Sequence, residues 1–317
     1  MLSSYNSVKR SADGLRPLVA PFAADVEITV DRSGSMYTMF AETCAGVTNF
    51  VADQKATQKK TGTPTTVRIT TFDDVVETMT GFDGVSIESA PEINIECLRP
   101  RNTTRLIDTA VEALLAQGRR VKAIHDNMTP EVRRLEPKVV KVFALLTDGH
   151  DNESTLYSPK YLNSFLRKYQ NSGGVAMFLA AGQDAVNVGM HYGFGAKHSL
   201  TYTASGAHAD AAMRAMTDQI GRVCSGAVKS EFSNIQRTSS LNTSQKNRCS
   251  TAPVNNLQRA PATGGMFGGG GAPRRVAAGR FGGGGVPKPT TQNTGSGWRV
   301  KLVMALREKQ KQEAANK

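Results

Sequence analysis

The chain has 317 residues, of which 39% are hydrophobic, and a formal net charge of +12. This size and composition allow a large hydrophobic core and exclude wholesale disorder. No apolar run reaches the roughly 18 residues that a membrane-spanning helix needs, and the N-terminus lacks the pattern of a secretion signal. The four cysteines include no Cys-x-x-Cys pair, so we expect reduced thiols in a cytoplasmic protein. We predict no membrane contact, because no apolar run is long enough.

The positive charge is concentrated in the C-terminal part. Residues 231–317 contain 14 Lys and Arg against 3 Asp and Glu, a net charge of +11, whereas residues 1–230 have a net charge of +1. Residues 263–297 include 13 glycines, a composition that cannot bury enough surface to offset the entropy of ordering. We therefore predict four parts: a lead-in (1–22), a globular domain (23–230), a disordered Gly-rich basic linker (231–297) and a short interaction element (298–317).

Strand-like and helix-like segments alternate along the globular part, which is typical of an α/β fold with a mostly parallel sheet. In chain order the sequence predicts a strand at 26–30, a helix with an apolar stripe over 40–51, a strand at 67–72, a short antiparallel strand at 75–79, a helix over 106–115, a strand at 139–146, a helix over 162–169, a strand at 175–181, a short helix from 184, an edge strand at 199–203 and a closing helix over 209–220. We expect a doubly wound, Rossmann-like sheet flanked by helices.

Polar residues follow the predicted strands or open a helix at three places. Asp31, Ser33 and Ser35 follow the first strand, Thr104 precedes a helix, and Asp148 follows the strand at 139–146. Ligands of open parallel sheets bind beyond the carboxyl ends of the strands, so we expect these five side chains to converge. Two carboxylates and three hydroxyls suit Mg²⁺ or Mn²⁺ and are poor ligands for zinc or copper. We predict a metal site whose open position accepts an Asp or Glu of a partner protein.

These residues carry a resemblance to a known family. The pattern Asp31-x-Ser33-x-Ser35, the threonine before a helix and the Thr-Asp-Gly at 147–149 resemble the metal-ion-dependent adhesion site of a von Willebrand factor type A (vWA) domain. The resemblance covers about residues 25–225 and no part of the tail, and it is similar to soluble, intracellular members from bacteria and phages. It implies a vWA-like fold and a protein-interaction module.

The resemblance also implies a role for each residue of the site. Ser33 and Ser35 would coordinate the ion directly, and Thr104 would do so directly or through a water molecule. Asp31 and Asp148 would act mainly through bridging waters and through hydrogen bonds to the serines.

One position departs from the family pattern. vWA domains usually have glycine immediately before the threonine, whereas this chain has Asn102-Thr103 there. Thr103 is therefore an alternative to Thr104 as a metal ligand. We interpret Asp73 and Asp74, in the connection between two predicted strands, as turn residues.

The sequence also allows two other functions to be considered, one at the predicted metal site and one in the tail. A phosphohydrolase of the haloacid dehalogenase type needs an acid two residues after Asp31, where this chain has Ser33, and no nucleophile–histidine arrangement is evident. We therefore predict a binding module and not an enzyme.

Residues 267–281 combine three arginines and two phenylalanines with glycines, which resembles segments that bind RNA. The second hypothesis is a nucleic-acid-associated protein that uses this tail, and the alternative for the tail is a simple linker.

Overall fold

The computed structural model of the chain describes residues 22–182, 184–227 and 231–250, the last four as backbone only. The strands are β1 (Ala23–Asp31), β2 (Thr65–Phe72), β3 (Val76–Thr78), β4 (Val85–Ser86), β5 (Val139–Thr147), β6 (Val175–Ala181) and β7 (Ser199–Tyr202). The helices are α1 (Phe40–Thr61), α2 (Leu106–Asp126), α3 (Pro130–Arg134), α4 (Pro159–Asn171), α5 (Ala185–Tyr192), α6 (Gly206–Cys224), α7 (Asn234–Ser239) and α8 (Thr243–Ser250). Short 3₁₀ turns lie at Gly34–Met39, Ile87–Ser89, Ile95–Leu98 and Ala196–His198.

The strands form one sheet in the order β3-β2-β1-β5-β6-β7, and β4 also pairs with β2. β1, β2, β5, β6 and β7 are parallel, whereas β3 and β4 are antiparallel to β2. One core cluster joins α1 and α6 to the sheet, and a second joins α2, α4 and α5 to the opposite face. The predicted fold class, a mostly parallel sheet with helices on both faces, is confirmed.

The predicted elements are all present, with ends that shift by a few residues. Two helices begin directly after a residue that caps them, as serine and aspartate commonly do. Ser158 accepts a hydrogen bond from the Tyr161 N–H (3.2 Å), and Asp184 accepts one from the Val186 N–H (3.0 Å). β4, α3 and the 3₁₀ turns were not predicted, since segments of two to six residues show no hydrophobic period.

The structure bears on two further expectations. Among the described helices, none combines the length and the apolar character that crossing a bilayer demands. Cys44, Cys97 and Cys224 are free thiols, and Cys44 and Cys224 are buried. The side chain of Cys249 lies outside the described residues.

Residues 231–250 differ from the prediction, which starts a disordered linker at residue 231. The structure has α7 and α8 in this segment, and the side chains of Phe232 and Leu241 are 5% and 6% exposed. The folded part therefore extends further along the chain than the sequence indicated. The remainder of the predicted linker (251–297), the interaction element (298–317) and nearly all of the lead-in lie outside the described residues.

The same segment covers the outer edge of β7, the last strand of the sheet. The Arg237 guanidinium donates to the Ser199 carbonyl (2.7 Å), and the Ser240 hydroxyl donates to the Thr201 carbonyl (2.8 Å). The Ser240 carbonyl accepts from the Thr203 N–H (2.9 Å). An uncovered edge strand offers its backbone groups to other chains. These contacts were not predictable because they are hydrogen bonds from polar side chains and not an apolar stripe.

β1 alternates apolar and polar side chains although all nine of its residues are buried. Val26, Ile28 and Val30 belong to the core cluster that includes α1 and α6. Asp25 and Glu27 point to the opposite face, where α2 packs, and both have no solvent exposure. Charges at such positions are costly unless each is paired.

Two arginines provide this pairing. Arg120 Nη2 lies 2.8 Å from both Asp25 Oδ1 and Glu27 Oε2, and Arg68 Nη1 lies 3.2 Å from Glu27 Oε1. The Thr70 hydroxyl donates a further hydrogen bond to Glu27 Oε1 (3.0 Å). We call Asp25, Glu27, Arg68 and Arg120 the β1 ion cluster.

Replacing Arg120 with Met tests the importance of this pairing. Arg120→Met leaves two buried carboxylates with one arginine, so we expect the free energy of unfolding to fall by about 3–5 kcal/mol, measured by urea denaturation. Arg119→Met is the matched control, because Arg119 is the preceding residue of α2 and is exposed. That variant should change stability by less than about 0.5 kcal/mol. Equal stability of the two variants would contradict the role of the β1 ion cluster.

Candidate metal centre

The five predicted site residues lie at the carboxyl-terminal edge of the sheet. Asp31 is the last residue of β1, and Ser33 and Ser35 belong to the turn that leads into α1. Asp148 directly follows β5, and Thr104 lies two residues before α2. Because β1 and β5 are adjacent and parallel, the segments that follow them leave the sheet side by side.

Hydrogen bonds join four of these residues into one chain. The Ser33 N–H donates to Asp31 Oδ1 (2.7 Å), and the Ser33 and Ser35 hydroxyl oxygens lie 3.1 Å apart. The Ser35 hydroxyl donates to Asp148 Oδ1 (2.6 Å). The structure therefore brings together both carboxylates and both serines.

Thr104 borders the same space. A Cβ atom built on Gly149 would lie 3.5 Å from Thr104 Oγ1 and 3.9 Å from Ser35 Oγ, so the glycine leaves a small gap between these hydroxyls. Thr104 is 4% exposed, whereas the neighbouring Thr103 is exposed to solvent. Of the two candidate threonines, the structure places Thr104 beside the serines.

Asn102 joins the loop that contains Thr104 to the turn that contains the serines. Its φ angle is 53°, in the left-handed region that asparagine adopts more readily than most other residues with a side chain. Its carbonyl accepts a hydrogen bond from the Gly34 N–H (3.0 Å), and its side-chain amide donates to Asp74 Oδ1 (2.8 Å). Asn102 thus provides the backbone conformation and also attaches the Thr104 loop to the serine turn.

Two residues with no predicted role stabilise the loop that follows β5. Asn152 Oδ1 accepts from the Thr104 N–H (2.8 Å), and the Asn152 N–H donates to the Thr104 carbonyl (3.0 Å). Asp108 is fully buried and accepts from the N–H groups of residues 155–157 at 2.9–3.2 Å. The run of polar residues at 148–152 was the available signal, but its partners, which include Thr104 and the Ile107 N–H of α2, could not be identified from spacing.

The two carboxylates face hydroxyl groups, and their pKa values are raised. The Thr147 hydroxyl donates to Asp31 Oδ2 (2.6 Å). Burial raises the pKa of Asp31 to about 6, and the negative charge of Asp148 contributes to this rise. The hydrogen bonds from Thr147 and Ser33 lower the pKa but only partly offset the effect of burial. Burial also raises the pKa of Asp148. In the described part of the chain, neither carboxylate forms an ion pair with a Lys, Arg or His.

The chemistry of this donor set fits a hard divalent cation. Two carboxylates supply a charge of −2, and three hydroxyls supply further neutral oxygen ligands, a combination suited to Mg²⁺ or Mn²⁺. Among the residues that the structure describes, no group of three or more His, Cys, Asp or Glu could hold a metal ion. An ion at this edge would therefore depend on the hydroxyls of Ser33, Ser35 and Thr104 as well as on the two acids.

Neither the protein-family models nor the curated proteins include a match to this chain. Similar solved structures include proximal thread matrix protein 1 from the mussel byssus with a zinc-occupied MIDAS motif, at 21% identity and a TM-score of 0.42. That match covers 65% of this chain and 47% of the mussel protein, so this chain spans about half the length of the mussel protein.

Two further structures show the same kind of similarity. A von Willebrand factor type A structure from Catenulispora acidiphila is 17% identical, with a TM-score of 0.41 over 63% of this chain and 43% of that one. The manganese-loaded TRAP protein of Plasmodium vivax is 14% identical, with a TM-score of 0.33 over 51% of this chain and 58% of that one. Such values concern the fold and carry no argument about activity or partners. With its parallel sheet order and helices on both faces, the chain has a vWA-like fold.

Proposed function

We propose that this chain is a divalent-metal-dependent protein-binding module. The observation that carries the proposal is the pair of carboxylates, Asp31 and Asp148. They are joined through the backbone N–H of Ser33 and the hydroxyls of Ser33 and Ser35, and neither has an ion-pair partner in the described part of the chain. Ser33, Ser35 and Thr104 would hold Mg²⁺ or Mn²⁺ directly. Asp31 and Asp148 would hold it through hydrogen bonds and bridging waters.

The accessibility of the site indicates the chemistry of the partner. Asp31, Ser33 and Thr104 are buried, whereas Ser35 is exposed and Asp148 is partly exposed. One side of the site is therefore open to solvent and to another protein. When bound, the ion supplies an electrophilic centre, because neutral hydroxyls donate little charge to it, and a hard anion is its preferred additional ligand. The partner would provide an Asp or Glu carboxylate.

The proposal is for binding and not for catalysis. Each site residue has a role in holding the ion, and the position that would carry a phosphohydrolase acid is Ser33, whose hydroxyl oxygen contacts Ser35. The cytoplasmic location stays a prediction. The nucleic-acid hypothesis also stays one, because the residues of the tail that suggest it lie outside the described part of the chain.

Affinity capture tests the proposed function. The full-length chain and its Asp148→Ala variant would each be immobilised and exposed to a soluble extract of the source organism with Mg²⁺, then eluted with EDTA. We expect the unmodified chain, but not the variant, to retain at least one protein that EDTA then releases. Replacing one Asp or Glu residue of that protein should abolish its binding. A set of captured proteins that is identical with Mg²⁺, with EDTA and with the variant would refute the proposal.

The two neighbouring threonines give a matched pair of variants. Thr104→Val keeps the shape of the side chain and removes the hydroxyl, so we expect Mn²⁺ affinity to fall about tenfold, equivalent to about 1.4 kcal/mol. Thr103→Val, at an exposed position, should change the affinity by less than about twofold. Mn²⁺ titration followed by electron paramagnetic resonance measures both. The reverse order of effects would assign the ligand to Thr103.

The raised pKa of Asp31 predicts how metal binding depends on pH. A proton and the cation compete for the site, so affinity should be nearly constant above pH 7 and fall about tenfold per pH unit below pH 6. Calorimetric titration with Mn²⁺ in buffers of different ionisation enthalpy should register about half a proton released at pH 6 and close to none at pH 8. An affinity that stays constant from pH 5.5 to 8 would contradict the competition between a proton on Asp31 and the cation.

A further inference from the structure

Four charged side chains lie beside the proposed metal site and contact one another. We call Arg32, Asp73, Glu77 and Arg101 the Arg101 cluster. Arg32 Nε lies 3.3 Å from Asp73 Oδ2, and Arg32 Nη2 lies 2.5 Å from Glu77 Oε2. Arg101 Nε contacts Asp73 Oδ2, and Arg101 Nη2 lies 3.1 Å from Glu77 Oε2. Each arginine therefore contacts both acids, and the formal charges sum to zero.

The Arg101 cluster joins segments that are far apart in sequence. Arg32 lies in the turn after β1, Asp73 follows β2, Glu77 is in β3, and Arg101 lies in the loop that leads to Thr104. Asp73 has no solvent exposure. It closes the predicted turn, because its Oδ1 accepts a hydrogen bond from the Val75 N–H (2.7 Å), and its ion pairs with Arg32 and Arg101 are an additional role. A buried carboxylate of this kind is stable only while its cations stay in place, so the Arg101 cluster favours one arrangement of the four segments.

Backbone hydrogen bonds run beside these ion pairs. The Arg101 N–H donates to the Arg32 carbonyl (2.7 Å), and the Arg105 N–H donates to the Asp73 carbonyl (2.8 Å). The Thr104 loop is thus attached to the serine turn and to the end of β2 at the two positions that flank Asn102 and Thr104. The ion pairs and the backbone bonds act on the same short stretch of chain.

We infer that the Arg101 cluster positions Thr104 against the serines and so sets the affinity of the site for a divalent cation. Arg101 precedes Thr104 by three residues, a separation of at most about 10 Å, so the ion pairs that fix Arg101 restrict the positions that Thr104 can take. The members of the Arg101 cluster are positioning residues, because the contacts they make are with one another and with backbone groups. This role rests on the proposed function, because the Arg101 cluster would set the cation affinity of the metal site proposed there.

The size of the effect follows from the second attachment of Thr104. Asn152 holds the backbone of Thr104 from the opposite side and would remain in place if the Arg101 cluster were broken. We therefore expect a partial loss of metal affinity. Removal of outer residues that orient metal ligands typically lowers affinity by about 10- to 100-fold, and an effect near the lower limit is expected here.

The same loop offers a matched control. Arg99 lies two residues before Arg101 and pairs with Glu96 through Nε and Oε2 at 2.9 Å, and both side chains are more than half exposed. Arg99→Gln and Arg101→Gln remove the same charge from the same loop. Coulombic repulsion alone predicts that losing a positive charge near the site strengthens cation binding. A positioning role predicts instead that Arg101→Gln weakens cation binding.

The test measures Mn²⁺ binding to the full-length chain by electron paramagnetic resonance, with melting temperatures recorded for each variant. We expect Arg101→Gln to bind Mn²⁺ about tenfold more weakly than Arg99→Gln, and Arg101→Lys, which keeps the charge, to lie between them. If Arg101→Gln does not fold, Glu77→Gln replaces it, with Glu96→Gln as its control and the same order expected. Equal or tighter binding by the variant of the Arg101 cluster would overturn the inference.

The outcomes separate this inference from the proposed function. If the unmodified chain and Arg99→Gln both fail to bind Mn²⁺, the proposed function fails and this inference fails with it. If both bind Mn²⁺ and Arg101→Gln binds it equally well, the metal site stands and only the positioning role is wrong.

Discussion

The buried carboxylate of Asp31, at the end of the central strand, is the group on which the site depends. It is 1% exposed and accepts hydrogen bonds from the Ser33 N–H and the Thr147 hydroxyl. The first bond fixes the turn after β1, and the second connects that turn to the end of β5. Because this turn is fixed, the Ser33 hydroxyl contacts the Ser35 hydroxyl, and the Ser35 hydroxyl donates a hydrogen bond to Asp148. The geometry of the site therefore follows from satisfying one buried acid.

Much of this arrangement was predictable because it depends on local pattern and on general properties of sheets. The alternation of Val26, Ile28 and Val30 with polar residues identified β1, and the apolar run at 139–146 identified β5. Parallel strands end at the same edge, so Asp31 and Asp148 were expected to lie close together. The preference for Thr104 over Thr103 had no such physical basis in the sequence and came only from the resemblance to the family. In the structure the two differ in burial, since Thr104 is 4% exposed and Thr103 is exposed to solvent.

The parts that were not predicted involve polar side chains with distant partners. Asp73 is followed by a second aspartate and has the composition of a turn, yet its partners Arg32 and Arg101 are 41 and 28 residues away along the chain. Arg237 lies in a segment rich in Asn, Ser and Thr, yet its guanidinium covers the β7 edge by bonding to a carbonyl 38 residues earlier. Apolar side chains reveal their element through spacing, whereas a polar side chain reveals its partner only when the fold is known. The fold was therefore more predictable than the contacts that shape its edges.

The buried acids at the two ends of β1 have different kinds of partner. Near the start of the strand, two buried carboxylates of the β1 ion cluster meet two arginines, and their charge is balanced by the protein itself. At the other end, Asp31 and Asp148 meet hydroxyls that donate hydrogen bonds but carry no charge. The chain thus has the means to neutralise buried acids and uses arginines for this purpose in the β1 ion cluster and in the Arg101 cluster. Arginine at the site would occupy the space between the oxygens, whereas small hydroxyls leave that space free, as the proposed binding of a divalent cation requires.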